Sequence, residues 1–102
     1  MRRLPITKLL LGFQRSENLI DEDVNSYVNK FRRREKVDPV LVYYDGENYH
    51  LADGFHRVAA ATKLGRKTIL AEVVRGTRAD MDAEFQRYLE EVREFLRGRP
   101  GA

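Results

Sequence analysis

Asp53-Gly54-Phe55-His56-Arg57 is the stretch whose residue types and spacing could do chemistry. A strand-like run, Tyr49 to Ala52, enters a glycine turn, and the turn opens directly into a helical pattern. The first N–H groups of a helix have no partner inside it, and the macrodipole adds partial positive charge there. A glycine lets an anion approach that backbone, so the turn is a ready phosphate site. Arg57 adds a permanent cation with planar, bidentate donors. His56 adds a donor or acceptor that can titrate. A second reading stands beside this one. Asp53 can cap the helix itself and compete with a phosphate for the same N–H groups, leaving Arg57 in a surface ion pair.

Other residues carry weaker signals. Lys30, Arg32, Arg33 and Arg34, with Lys36, form a basic cluster that could meet nucleic-acid phosphates or simply complement a helix C-terminus. Arg2-Arg3 and Arg66-Lys67 extend that patch only if folding gathers them. Tyr43, Tyr44 and Tyr49 lie on a hairpin, where packing is the simpler role than base stacking. Asp45, Glu47 and Asp53 are acids near the turn; one could assist a Mg²⁺ held mainly by phosphates. Asp45 also reads as a turn residue and His50 as a half-buried strand residue.

The composition narrows the classes. The chain has 102 residues, which is expected to form one domain over 1–102. It has no cysteine, which excludes disulfides, thiolate zinc sites and a cysteine nucleophile. Two histidines without carboxylate help make no metal site, so no protein-held metal is expected. The net charge is +3, which permits an anionic partner without requiring one. The longest apolar run, Leu9-Leu10-Leu11, is far short of a membrane span, and no signal peptide is recognised. A cytoplasmic protein with no membrane partner is the expectation.

The elements that must position the turn are legible in outline. Leu4 to Leu11 reads as a first strand and Phe13 to Ile20 as a polar loop. Asp21 is the expected N-cap of a helix in which Val24, Tyr27, Val28 and Phe31 share a face. Val40 to Tyr44, apolar throughout, reads as a central strand. Asp45-Gly46 predicts a tight turn and Asn48 to Ala52 a strand pairing back. Phe55 to Leu64 is a short helix with Gly65 just beyond its end. Thr68 to Val74 is a third strand. Thr77 and Asp80 fit a capping box before a long helix over about 79–97. Its stripe of Met81, Phe85, Tyr88, Leu89, Val92, Phe95 and Leu96 is expected to pack on the domain's own sheet, with some surface left for a second copy. Strand, helix, hairpin, helix, strand, helix is an α+β order, not a doubly wound parallel sheet.

Leu51 to Ala61 resembles the phosphate-binding segment of the ParB/sulfiredoxin superfamily. ParB proteins carry Gly-Glu-Arg-Arg there and sulfiredoxins Gly-Cys-His-Arg; Gly54-Phe55-His56-Arg57 keeps the Gly, His and Arg of the second form. The proline-led strand from Pro39 and the strand after the helix also look like the family's. The resemblance implies a mixed sheet with a β-hairpin, packed helices and a long C-terminal amphipathic helix. It also implies that Gly54, Phe55, His56 and Arg57, beside Asp53, hold nucleotide phosphates. Gln14-Arg15 falls where ParB has a Gln-Pro-Arg element, and Gln86-Arg87 matches part of its later Glu-Asn-Ile-Gln-Arg element. Phe55 stands where sulfiredoxin has its catalytic cysteine, which excludes reduction of a sulfinic acid by that route. ParB has a glutamate at this position, so Phe55 also argues against metal-assisted hydrolysis.

The reading is therefore a phosphate-binding ParB-like domain for CTP or ATP, with Mg²⁺ accompanying the nucleotide and hydrolysis weak or absent. No catalytic residue is named; an enzyme on this frame would be a nucleotide phosphohydrolase, a kinase-like transferase or a nuclease. Two alternatives remain. One is a DNA-binding or nuclease accessory domain using the basic cluster. The other is a protein-interaction module, or homodimer, with a vestigial phosphate turn.

Overall fold

The computed structural model describes residues 1–12 and 19–98. The elements are β1 (Arg2–Pro5), a 3-10 turn (Ile6–Lys8), β2 (Leu9–Leu10), α1 (Asp21–Arg32), β3 (Val40–Tyr44), β4 (Tyr49–Asp53), α2 (Phe55–Lys63), β5 (Thr68–Arg75) and α3 (Arg78–Arg97). The architecture is α+β, as expected. The strands form one mixed sheet in the order β1-β5-β3-β4-β2. β3 lies at its centre, parallel to β5 and antiparallel to β4. Its apolar sequence suits that place.

The expected first strand is broken. The 3-10 turn splits it, and its halves lie at opposite edges, β1 against β5 and β2 against β4. In a flat sheet those edges would be ~19 Å apart, four strand spacings. The chain from Pro5 to Leu9 reaches at most ~14 Å even when extended. The sheet must therefore curl until its edges approach. Arg2 of β1 accordingly donates to the Tyr49 hydroxyl of β4 at 3.2 Å. Ile6 N–H donates to the Lys67 carbonyl at 2.9 Å, which holds the break in place.

Strand alternation sorts the two sheet faces. Val40 and Val42 of β3, with Leu51, Ile69 and Ala71, point into the core, where Leu4, Leu9, Val58 and Ala61 join them. A second cluster, Val24, Val28 and Ala60, joins α1 to α2. The small residues Ala60 and Ala61 are fully buried, so α2 seats closely on both neighbours. On the other face Leu41, Tyr43, His50 and Ala52 line an open groove of about 520 Å³, with Met81 and Phe85 of α3 opposite.

α3 departs from expectation. Its capping box forms, with Asp80 N–H on the Thr77 hydroxyl and Thr77 N–H on the Asp80 carboxylate. Yet none of its residues is buried. Beyond the groove Tyr88, Phe95 and Leu96 are 60%, 68% and 53% exposed, so this part of the stripe does not pack on the sheet. Periodicity defines the apolar face of a helix but not what covers it.

Candidate functional site

A bulge sets up the turn at the end of β4. Val42 pairs with Leu51 but Leu41 pairs with Asp53, leaving Ala52 as the extra residue. Such a bulge bends a strand and re-aims the residues beyond it. Gly54 then adopts φ +106, a left-handed conformation, and caps α2 without a side chain. A Cβ on Gly54 would sit 2.5 Å from Val40 Cγ1, so the close approach of α2 to β3 requires glycine.

Asp53 does not cap α2; no side chain does. Its carboxylate is directed to Arg57, with Oδ2 3.5 Å from Nη2, and stays 75% exposed. The reading in which Asp53 occupies the helix N–H groups is therefore set aside. The N–H groups of Phe55, His56 and Arg57 lie in the first turn, where the helix supplies no acceptor. Val58 N–H is the first to close back, on Gly54 at 2.9 Å.

Arg57 is more than a surface ion-pair partner. Its side chain is 13% exposed. Nη1 donates to the backbone carbonyls of Asp38 at 3.0 Å and Pro39 at 2.9 Å. The guanidinium also lies over the Tyr27 ring, 5.8 Å from its centroid. It thus ties α2 to the entry of β3 and to α1. A small pocket beside it, about 160 Å³, is lined by Tyr27, Lys30, Lys36, Val37, Asp38 and Arg57. The same arginine that braces the fold contributes charge to that pocket.

His56 also acts as a brace. Its Nε2 accepts the Ile20 N–H at 3.1 Å, so it holds the start of α1 beside the start of α2. That fixes the tautomer with the proton on Nδ1. The expected N-cap of α1, Asp21, is instead its first helical residue; Ile20 holds the cap position with no side-chain cap bond. Asp21, Glu22 and Asp23 all lie in the first turn, where the dipole favours acids. Phe55 packs against the core and lines the apolar groove, in keeping with its lack of any reactive group.

The other candidates are scattered. Gln14 and Arg15 lie outside the described residues. Gln86 and Arg87 are exposed on α3, and Arg87 pairs with Glu84 at 2.7 Å. No hydrogen bond or ion pair links them to the α2 turn among the described residues. The basic cluster divides. Lys30 and Lys36 border the pocket beside Arg57, and Arg34 borders another, while Arg33 pairs with Glu35 at 3.6 Å and Arg32 is exposed. Tyr44 and Tyr49 stack on each other, centroids 4.6 Å apart, rather than presenting open rings.

Asp45 and His50 form a structural pair. Asp45 accepts from the Glu47 and Asn48 backbones at 2.8 and 2.7 Å and meets His50 Nε2 at 2.8 Å. These bonds, the Asn48 N–H first, hold its carboxyl far below the usual carboxylate range. Asp80 is lowered too, by Thr77 at the capping box. Among the described residues no group of three histidine or acidic side chains gathers to hold a metal ion. No helix is long and apolar enough to cross a membrane among them.

The ParB N-terminal domain model matches residues 1–89. The chain belongs to that family. Sulfiredoxin from Arabidopsis thaliana is similar in fold, at TM-score 0.73 and 24% identity, over 82% of this chain and 94% of that one. The C-terminally truncated chromosome-partitioning protein ParB from Caulobacter crescentus, complexed with CTP-γ-S, gives TM-score 0.62 at 24% identity, over 78% of this chain. A free serine kinase in complex with AMP gives 0.60 at 20% identity, over 72%. The chain spans 47% of that ParB and 30% of that kinase. No curated protein matches it in sequence. Arg3 and Arg66, named in sequence only as conditional extensions of the basic cluster, do join Arg34 and Arg57 around one pocket; they are 63 positions apart, and the β1–β5 pairing, which spacing does not reveal, brings them close.

Proposed function

We propose that this ParB-family domain binds a nucleoside triphosphate, CTP or ATP, by its phosphates at the N-terminus of α2. The observation that carries the reading is the uncapped first turn, with Asp53 drawn aside to Arg57. A phosphate oxygen is a natural acceptor for the N–H groups of Phe55, His56 and Arg57. Lys30 and Lys36 share a pocket with Arg57 and add cationic charge on that side of the turn. The ligands named with two similar folds, CTP-γ-S on ParB and AMP on the kinase, support the same class. His56 serves this site by position, holding the two helix starts together, and has Nδ1–H left to donate.

Mg²⁺ in this reading arrives with the nucleotide, held by its phosphates, since the described side chains build no metal cluster. Hydrolysis is weak or absent, because phosphoryl transfer needs a group that orients water and Phe55 cannot be one.

The test is amide NMR and thermal unfolding with CTP, ATP and ADP, each with and without Mg²⁺. A ligand at ten times its dissociation constant adds ~1.4 kcal/mol, roughly 6–11 °C in melting temperature for a domain this small. The Phe55, His56 and Arg57 amides are expected to shift and saturate, and Lys30→Ala with Lys36→Ala to weaken binding several-fold. No shift of these amides at millimolar nucleotide would overturn the reading.

A further inference from the structure

Two helices of this chain end in the same way, with one telling difference. α2 stops at Gly65, φ +74, with Gly65 N–H on the Thr62 carbonyl at 2.9 Å and Arg66 N–H on Ala61 at 3.0 Å. α1 repeats the pattern, with Arg34 N–H on Phe31 at 3.1 Å and Glu35 N–H on Lys30 at 3.0 Å. There the left-handed residue is Arg34, φ +56, the non-glycine with positive φ among the described residues. Glycine is the ordinary choice at this position, because a Cβ there is strained. Strain that persists points to a use for the side chain.

That side chain has no other employment. Neither the Arg34 nor the Arg3 side chain makes a hydrogen bond or ion pair among the described residues. Both line a pocket of about 200 Å³ between the end of α1 and the β1–β5 edge, together with Arg66 and Arg57. Arg66 is held in place, stacked 4.9 Å over the Phe31 ring and donating to the Phe31 carbonyl at 3.3 Å. The acids on the pocket wall are Glu35 and Asp38; Glu35 engages Arg33, and Asp38 presents its carbonyl to Arg57. The result is a concave site with two fixed guanidiniums, Arg57 and Arg66, and two whose donors are uncommitted, Arg3 and Arg34.

The geometry points to a second anion site: Arg3, Arg34 and Arg66 hold a phosphate group there, apart from the α2 N-terminus. Guanidinium forks match the paired oxygens of a phosphate, and several converging forks favour it over a monoanion. A free phosphate species or a phosphodiester of a nucleic acid could supply that group.

Sodium pyrophosphate and a short single-stranded DNA oligonucleotide, titrated separately and followed by amide NMR, test the proposal. Shifts that saturate at Arg34, Arg66 and Thr68 are expected with at least one of them. A response to pyrophosphate alone supports the site and assigns it to free phosphate species. A response to the oligonucleotide that pyrophosphate does not reproduce supports it and assigns it to a backbone. Arg34→Gly decides the role of the side chain. It should raise the melting temperature by a few degrees, by relieving strain, while weakening anion binding about ten-fold; Arg3→Gln should weaken it several-fold. Wild-type affinity in Arg34→Gly, or shifts confined to Phe55–Arg57, would overturn the proposal. Because the two sites are read at different amides, failure here leaves the nucleotide reading intact, and the reverse also holds.

Discussion

His56 Nε2 accepts the backbone N–H of Ile20 at 3.1 Å. One ring nitrogen thereby joins the first turn of α2 to the residue that caps α1. Replacing His56 with Ala removes that acceptor and leaves the Ile20 N–H to water, since Ile20 is exposed. The expected loss is ~0.5–1.5 kcal/mol, the worth of an ordinary hydrogen bond. Urea denaturation measures it. Faster amide hydrogen exchange at Ile20, with the centre of α2 unchanged, would locate the loss at the helix start.

Gly54 carries the approach of α2 to the sheet. Gly54→Ala places a methyl group 2.5 Å from Val40 Cγ1 on a backbone at φ +106. Left-handed strain of ~1–2 kcal/mol and overpacking of ~1–3 kcal/mol predict a loss of about 2–5 kcal/mol. Pairing the change with Val40→Ala removes the Cγ1 contact, although the Val40 Cβ stays 2.8 Å from the new methyl group. The double variant should lose less than the sum of the single ones, by about 1 kcal/mol or more. Strict additivity would mean that Val40 Cγ1 adds nothing to the requirement for glycine beyond the left-handed backbone and the Val40 Cβ that remains.

Most of the site's frame was legible because it is local. Asp45-Gly46 fixes the hairpin, Thr77 and Asp80 fix the start of α3, and a glycine between an apolar strand and Phe-His-Arg marks the turn. What escaped depends on chain segments far apart in sequence. The break at Ile6–Lys8 is imposed by closure of the sheet and the Lys67 carbonyl; Pro5, which caps it, is the one local sign of it within Leu4 to Leu11. Arg57 reads as a phosphate ligand in sequence, yet its Nη1 is engaged by carbonyls at positions 38 and 39, which spacing alone does not reveal. The helix stripe of α3 was read correctly as apolar, but no local rule states whether a sheet lies beneath it.

Asp45 gives the hairpin a pH dependence of known sign. Its carboxyl is held below the ordinary value by the Asn48 N–H, His50 and the Glu47 N–H. A lowered folded pKa stabilises the native state at pH above the unfolded value, about 3.9. That contribution fades as pH falls from there towards the folded pKa. Asp45→Asn keeps an acceptor but loses the charge. It should be less stable than wild type at neutral pH, and the gap should narrow as pH drops below about 4. Urea unfolding at neutral pH and at several acid pH values checks this; a constant gap would show that Asp45 stabilises the turn without its charge.

α3 and the core predict opposite sensitivities to the loss of apolar groups. Leu51 is 2% exposed inside the sheet cluster, whereas Tyr88 and Leu96 are 60% and 53% exposed on α3. Leu51→Ala removes contacts on every side and should cost about 2–5 kcal/mol. Tyr88→Ser and Leu96→Ser remove groups already in water, so each should stay within about 0.5 kcal/mol of wild type when the protein is dilute. If a second copy covers the stripe at higher concentration, stability becomes concentration-dependent by mass action, and these two serine variants should abolish the dependence. Denaturation curves at micromolar and submillimolar protein distinguish the cases. A large loss from Tyr88→Ser at the lowest concentration would mean that α3 folds back onto its own domain in solution.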